Sequence, residues 1–329
     1  MEVGQDLEPF DFSLPELGEQ DVSVEISHCG VCYTDVHGIE NHYGISTFPF
    51  VPGHEIVGTI TEVGSSVPSL RVGERVGIGW QGRSCMQCAW CLRGDEHLCQ
   101  DIENCGTWKP YGGFSTAIVV DGRFAYRIPE AIPSETAAVL MCAGISVYAP
   151  LRKYGVDSCE RVAVVGIGGL GHVAIQFAHA MGFHVTAISS SPGKREEARR
   201  FGADDFLLTE DPSALKQAVA SFDLLLYTSH AKGDWTDLVN SLRTQGRMVV
   251  LGFPKGPVSF DPMELVVLQM SITGSLIGNR ATMWEMLTFA QEHRITPMIE
   301  LMPMSQVNEA LQRIKENKAR YRIVLECER

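Results

Sequence analysis

The stretch RVAVVGIGGLGHVAIQFAHAMG, residues 161–182, decides the fold. Its first residues read as a buried strand, because small and β-branched apolar residues follow one another without a polar break. Gly166, Gly168, Gly169 and Gly171 come next, then an apolar helical pattern that stops near Gly182. In a dinucleotide-binding turn these glycines have separate tasks. Gly166 permits the tight turn, Gly168 lets backbone approach a pyrophosphate, and Gly171 lets the helix pack on the sheet. With Leu170 between the last two glycines, the turn would leave N–H groups at the helix N-terminus for phosphate. A bare G-x-G-x-x-G also occurs in empty turns, but here a strand precedes it and a helix follows.

Outward from this turn, strand and helix alternate. HVTAIS (184–189) reads as a second strand, and PGKREEARRFGA (192–203) as a helix with Pro192 at its start and Gly202 near its stop. FDLLLYT (222–228) and GRMVVLGF (246–253) supply further strands. That alternation predicts a doubly wound parallel sheet, a Rossmann cofactor domain over residues 146–274. Upstream, DVSVEIS, EIVGTITEVG, ERVGIGW, FSTAIVV and FAYRIP are short apolar runs broken by Gly and Pro, which read as strands of a mostly β domain. Downstream, MWEMLTFAQEH and MSQVNEALQRIKEN read as amphipathic helices and YRIVLE as a last strand. The tail no longer alternates strand with helix, so residues 275–329 are assigned with residues 1–145 to one catalytic domain. The overall class is α/β, with the active site expected in the cleft between domains.

Composition narrows the partners. The chain has 329 residues, 45% hydrophobic and 20% charged, and a formal net charge of −13. That charge argues against nucleic acid or an anionic membrane as partner. No apolar run approaches the ~20 residues of a spanning helix, and MEVGQDLEPF does not look like a secretory signal. The expected compartment is the cytoplasm, where clustered cysteines point to metal rather than disulfides.

The end of the second strand selects the coenzyme. An acidic residue is expected there, about 20 residues past the glycine turn, for the ribose hydroxyls of NAD. Ser189 and Ser190 stand there instead, followed by Lys194 and Arg195. Uncharged hydroxyls and nearby cations favour the 2′-phosphate of NADPH. The plainer alternative is a turn filled by serines and a lysine that merely solvates a helix start.

SCMQCAWCLRGDEHLC places Cys85, Cys88 and Cys91 at every third position, and Cys99 returns eight residues later. Four thiolates can close a tetrahedral shell around zinc, and a closed shell leaves no position for substrate, so this site is structural. A second set is dispersed: Cys29, Cys32 and His37 in CGVCYTDVHG, His54 and Glu55 in PGHEIVG, and Cys142 in MCAGISVY. No local spacing groups them, and each could equally be an ordinary core residue. Cys105, Cys159 and Cys327 have no paired spacing and read as buried or idle thiols.

GVCYTDVH, PGHEIVG, the four-cysteine lobe, MCAGISVY, GIGGLGH and KARYRIVL occur in that order. Together they resemble the zinc-containing medium-chain alcohol dehydrogenases over essentially the whole chain. The nearest likeness is the cinnamyl-alcohol-dehydrogenase-like branch with its broad-range NADPH aldehyde reductases. The resemblance implies a GroES-like catalytic domain and a homodimer. It implies that Cys32, His54 and Cys142 hold a catalytic zinc, with Cys32 chosen over Cys29 because it directly precedes YTDVH. It implies that Thr34 passes the substrate its proton and that His37 connects this relay, through the coenzyme ribose, to solvent. Asp35 and Glu55 would lie beside the metal, Ser146 behind the nicotinamide, Arg322 on the pyrophosphate, and Tyr43 and Trp80 along the pocket. Family members begin about one strand earlier, and they often carry His or Arg where Tyr33 stands.

The implied reaction is zinc-dependent, reversible reduction of aldehydes to primary alcohols with NADPH. The alternatives are an NAD-dependent alcohol or polyol dehydrogenase working in oxidation, and a zinc- and NADP-binding protein without turnover.

Overall fold

A computed structural model describes residues 3–106, 111–155, 161–231, 233–254 and 256–328. Cys159 lies outside the described residues. The chain divides into two units: Met1–Ile145 with Gly278–Glu292 and Pro297–Arg329, and Ser146–Ile277 with His293–Thr296.

The first unit is built on a seven-stranded sheet. Its centre is Asp21–Val31, which pairs antiparallel with Ile56–Val63, Ala117–Asp121 and Arg322–Glu326. Arg75–Ile78 and Ala125–Arg127 extend one side, and Ile299–Pro303 extends the other, parallel to Arg322–Glu326. Alternation along the central strand sends Val22, Val24 and Ile26 into a core with Ile56, Ile60, Val76, Ile78 and Ile118. Its register then delivers Val31 to a second core with Val36, Ile39, Phe50, Ile323 and Leu325. The chain therefore leaves this strand at Cys32 with apolar residues fixed on both sides of it.

The second unit carries a six-stranded sheet in the order Asp205–Leu208, His184–Ser189, Arg161–Val165, Phe222–Tyr227, Leu242–Val250, Ser271–Gly274. All five pairings are parallel. Counted in chain order within this sheet, the strands run 3-2-1-4-5-6, the dinucleotide-binding arrangement. The order reverses between Arg161–Val165 and Phe222–Tyr227, and the glycine turn opens there. Asp205–Leu208 and Ile299–Pro303 are strands that the sequence pattern did not reveal.

Ser134–Tyr154 is a 21-residue helix apolar enough, by length and composition, to cross a membrane, contrary to the expectation from apolar runs. Of its most apolar window, 78% is buried inside the protein. Its hydropathy comes from a helix covered on nearly all sides, as in the core of a large protein.

Candidate active site

Strand Asp21–Val31 ends where the short helix Tyr33–Ile39 begins, and Cys32 is the N-cap between them. Asp35 fixes this corner. One carboxylate oxygen accepts from the Cys32 backbone N–H at 2.8 Å. The other accepts from the Gly53 N–H at 3.1 Å and lies 3.0 Å from His54 Nδ1. A carboxylate accepts only, so His54 donates from Nδ1 and leaves Nε2 as its ligand atom. Asp35 is fully buried with both oxygens engaged, which makes it an orienting group rather than a ligand.

Cys32, His54, Glu55 and Cys142 each offer a ligand atom, and these atoms all lie within 4.8 Å of one another. The dispersed residues of the sequence therefore meet at one point. Cys29 does not join them. It is fully buried in the sheet core, and burial pushes its thiol well up. Cys32 behaves oppositely: a hydrogen bond with the Cys142 thiol, and the neighbouring His54, hold it well below the ordinary cysteine range. Its partner Cys142 is raised by the same hydrogen bond and by burial. A bound metal would displace the thiol protons of this pair.

Glu55 is fully buried, and burial pushes its carboxyl up to about 7 against the opposing pull of Arg322. One oxygen is paired with the Arg322 guanidinium, while Oε2 has no hydrogen-bond partner. An orphaned buried oxygen beside two sulfurs and an imidazole is what a metal ligand looks like without its metal. The donor set fits zinc. Gly30 makes the room, since a Cβ there would stand 2.0 Å from Glu55 Oε2. Arg322, expected on a pyrophosphate, is buried against Glu55, and its Nε is also without a partner.

Thr34 Oγ1 lies 3.6 Å from Cys32 Sγ, so its hydroxyl stands at the edge of the cluster. His37 follows one helical turn later on the same face and is 8% exposed. Its Nδ1 lies 2.6 Å from His42 Nδ1, a partner the sequence gave no reason to pick out. Trp80 is buried and Tyr43 is exposed.

In the four-cysteine lobe the sulfurs of Cys85, Cys88, Cys91 and Cys99 stand 3.5–3.9 Å apart. Sulfurs at ~2.3 Å from a tetrahedral zinc would stand ~3.8 Å apart, so this lobe fits the ion too. Backbone N–H groups of Gln87 and Cys88 hold the Cys85 thiol down at about 7, whereas burial pushes Cys99 up to about 12. The lobe is tied to its unit by Glu96, which is 2% exposed and lies 2.8 Å from Arg280 Nε.

In the second unit the glycine turn shows why Gly166 and Gly171 are glycines. Gly166 has φ +90°. A Cβ at Gly171 would stand 1.8 Å from Gly166 O, and one at Gly168 would meet nothing within 4 Å. Gly168 therefore faces open space on the side where backbone must approach a ligand. Leu170 caps the helix Gly171–Ala180 right after Gly169. Two braces were invisible in the sequence: Thr228 Oγ1 donates to Gly166 O at 2.8 Å, and His172 Nδ1 lies 2.9 Å from Gly168 O. Ser189 ends its strand, buried, and accepts from the Ser191 N–H, while Ser190 is exposed. Lys194 Nζ reaches back 2.5 Å to Ile167 O, inside the glycine turn. Ser146 sits half-buried in the first turn of Ile145–Tyr154.

Fold and cluster together define a zinc-dependent alcohol dehydrogenase built from a GroES-like and a Rossmann unit. The family profile for the alcohol dehydrogenase GroES-like domain matches residues 18–130, and that for zinc-binding dehydrogenases matches residues 169–292. A vomilenine reductase of Rauvolfia serpentina is 41% identical, over 97% of this chain and 91% of the relative. The solved cinnamyl alcohol dehydrogenase SbCAD4 of Sorghum bicolor superposes with a TM-score of 0.93 at 39% identity, covering 98% of this chain and 94% of that one. The Helicobacter pylori CAD, solved with NADP(H), gives 0.90 at 30% identity, covering 98% and 95%. The chain belongs to the zinc-containing medium-chain alcohol dehydrogenases, in the cinnamyl-alcohol-dehydrogenase-like branch. It is an enzyme that interconverts aldehydes and alcohols.

Proposed function

We propose that this enzyme reduces aldehydes to primary alcohols with NADPH, using one catalytic and one structural zinc per chain. Residues 1–145 and 275–329 would act as the catalytic domain and residues 146–274 as the NADP-binding domain. When bound, zinc supplies Lewis acidity and the nicotinamide supplies hydride. Cys32, His54 and Cys142 hold the metal, Glu55 is its alternative oxygen donor, and Asp35 orients His54. Thr34 gives the product oxygen its proton and draws on His37. The four-cysteine lobe holds the second zinc and needs reduced thiols, which supports a cytoplasmic setting.

Coenzyme choice is carried by one observation. Lys194 is drawn to the glycine turn, bringing an ammonium between that turn and the Ser189 strand end. A carboxylate at the strand end would repel a 2′-phosphate, whereas Ser189 and Ser190 can donate to it. The NADP(H) bound by the Helicobacter pylori relative supports this reading. An aromatic or terpenoid-like aldehyde suits the relatives' names, yet those names differ enough to favour a broad pocket.

The homodimer reading is supported by the edge position of strand Ser271–Gly274 and by its apolar neighbours Met263, Val266, Val267 and Leu276, which are 64%, 71%, 64% and 45% exposed. Sedimentation showing only monomer would refute it.

The test is paired initial rates with NADPH and NADH on zinc-replete protein, using an aliphatic and an aromatic aldehyde. NADPH preference with turnover of both is expected. Ser189→Asp then lowers the NADPH:NADH ratio of kcat/KM about 100-fold, since like-charge juxtaposition costs several kcal/mol. Turnover with NADH alone would favour alcohol oxidation, and bound zinc without turnover would favour the non-catalytic reading.

A further inference from the structure

Glu96 sits in the four-cysteine lobe between Cys91 and Cys99 and is 2% exposed, yet it is not one of the clustered ligands. A carboxylate buried that deeply needs partners. Its Oε1 accepts from the Arg280 backbone N–H and from Arg280 Nε, each at 2.8 Å. Its backbone carbonyl accepts from Gln81 Nε2 at 2.8 Å, and Gln81 belongs to strand Gln81–Arg83. Arg280 opens the helix Arg280–Glu292. The first N–H groups of a helix lack partners inside it, and that end carries partial positive charge. One buried carboxylate thus pins the start of this helix, while Gln81 holds the same residue from the strand side.

Both lines lead to Cys142. Along the helix, Met283 and Met286 are buried, and a Cβ at Gly144 would stand 3.3 Å from Met286 Sδ. On the strand side, Gly79 lies two residues before Gln81. A Cβ at Gly79 would stand 2.7 Å from Met141 O and 3.6 Å from Met283 Cε. Met141 and Gly144 flank Cys142 in Leu140–Gly144, a π-type turn within the core helix. Such turns are rare and recur at functional sites. Packing on both sides, rather than helical regularity, sets where this turn lies. We propose that Glu96 is a positioning residue for the catalytic centre. By anchoring Arg280 it fixes the helix that bears on the Cys142 turn, and so holds the Cys142 sulfur where its metal needs it. This rests on the reading that Cys32, His54 and Cys142 hold zinc. Glu96 is gripped from outside the sulfur cluster, by Gln81 and Arg280, so the brace does not depend on the lobe's ion. Because protein interiors are close-packed, a helix released at its start displaces the turn it touches instead of moving into slack.

Glu96→Ala, Glu96→Asp and Glu96→Gln test the brace in zinc-loaded, full-length protein. Glu96→Ala is expected to hold zinc at the dispersed cluster about tenfold more weakly in chelator competition, the low end for groups that orient a metal ligand. Its kcat falls about tenfold at unchanged coenzyme KM, since ~1 Å of misplacement costs up to ~100-fold. Glu96→Asp keeps the charge but withdraws it by one methylene, and shows both losses at about threefold. Glu96→Gln keeps the reach and an acceptor oxygen, and returns both values to within about twofold of wild type. A latch that served stability alone would lower the melting temperature and leave zinc affinity and kcat, measured well below it, unchanged. Wild-type zinc affinity and kcat in Glu96→Ala and Glu96→Asp would therefore overturn the proposal, and Glu96→Asp alone decides the matter if Glu96→Ala does not fold. So would a Cys91→Ser variant that reproduces the loss at the dispersed cluster, because it empties the lobe yet leaves Glu96 on Arg280. Cys142→Ala in the same titration separates the brace from the reading beneath it. If it binds as much zinc as wild type, Cys142 is no ligand and both fall. If it loses one zinc while the Glu96 variants keep wild-type affinity, only the brace falls.

Discussion

The first unit holds two clusters of side chains that could hold a metal ion, and they are built in opposite ways. Cys85, Cys88, Cys91 and Cys99 come from one lobe, and their sulfurs all lie within 4.8 Å of one another. Cys32, His54, Glu55 and Cys142 come from a strand end, a loop and a core helix, and meet only because the sheet register brings them together. The lobe would depend on a metal for its shape, since its large apolar side chains Trp90, Leu92 and Leu98 are exposed rather than packed. The dispersed cluster is already held by packed neighbours, by Asp35 and by Arg322. The lesson is that a site made by local sequence depends on its ion for structure, while a site made by the fold can give its ion to chemistry.

That contrast can be broken most directly by removing one ligand from each set. Cys142→Ala is expected to lose one zinc by elemental analysis and to lower turnover about a thousandfold or more, because Lewis-acid stabilisation is worth several kcal/mol. Its melting temperature stays near wild type. Cys91→Ser also loses one zinc, but lowers the melting temperature by about 5–10 °C with kcat within about twofold. If the two phenotypes were exchanged, or if both variants lost stability alike, the division of labour would be wrong.

Asp35→Asn sharpens the comparison further. Loss of an orienting carboxylate costs about 10–100-fold in metal affinity. Competition with a chelator should show that loss at the dispersed cluster and none at the lobe. The smallest effect belongs to Gly30→Ala. Its Cβ would overlap Glu55 Oε2, so Glu55 must shift, at about 1–3 kcal/mol by denaturant titration. An unchanged midpoint would show that Glu55 has slack and is not held in place by the strand.

The same contrast explains what was legible beforehand. The glycine turn and the four-cysteine lobe carry their meaning in spacing, so both could be read without a fold. The strands DVSVEIS and HVTAIS announced themselves by β-branched runs, and the structure has strands at Asp21–Val31 and His184–Ser189. Asp205–Leu208 begins with a charge and lasts four residues, and Ile299–Pro303 ends on proline, so neither shows a strand's alternation. The dispersed ligands became a set only through the resemblance, because residues 32, 54 and 142 share no period. Thr228 and Gly30 had no signal at all. Each matters through a partner far away in sequence or across a turn, and a single side chain does not advertise its partner.

The pairing of Glu55 with Arg322 joins residues 267 positions apart, and strand Arg322–Glu326 lies directly against Asp21–Val31. On the ribosome, Asp21–Val31 emerges early but cannot gain this neighbour until nearly the whole chain has been made. The six-stranded Rossmann sheet and the cysteine lobe each come from one continuous stretch and can form while synthesis continues. If both clusters take zinc as proposed, their loading is ordered in time: the lobe would take its ion during translation, and the dispersed cluster only after the last strand arrives. A nascent chain stalled before residue 322 should carry one zinc rather than two. Such a schedule keeps the reactive site silent until the protein around it is finished.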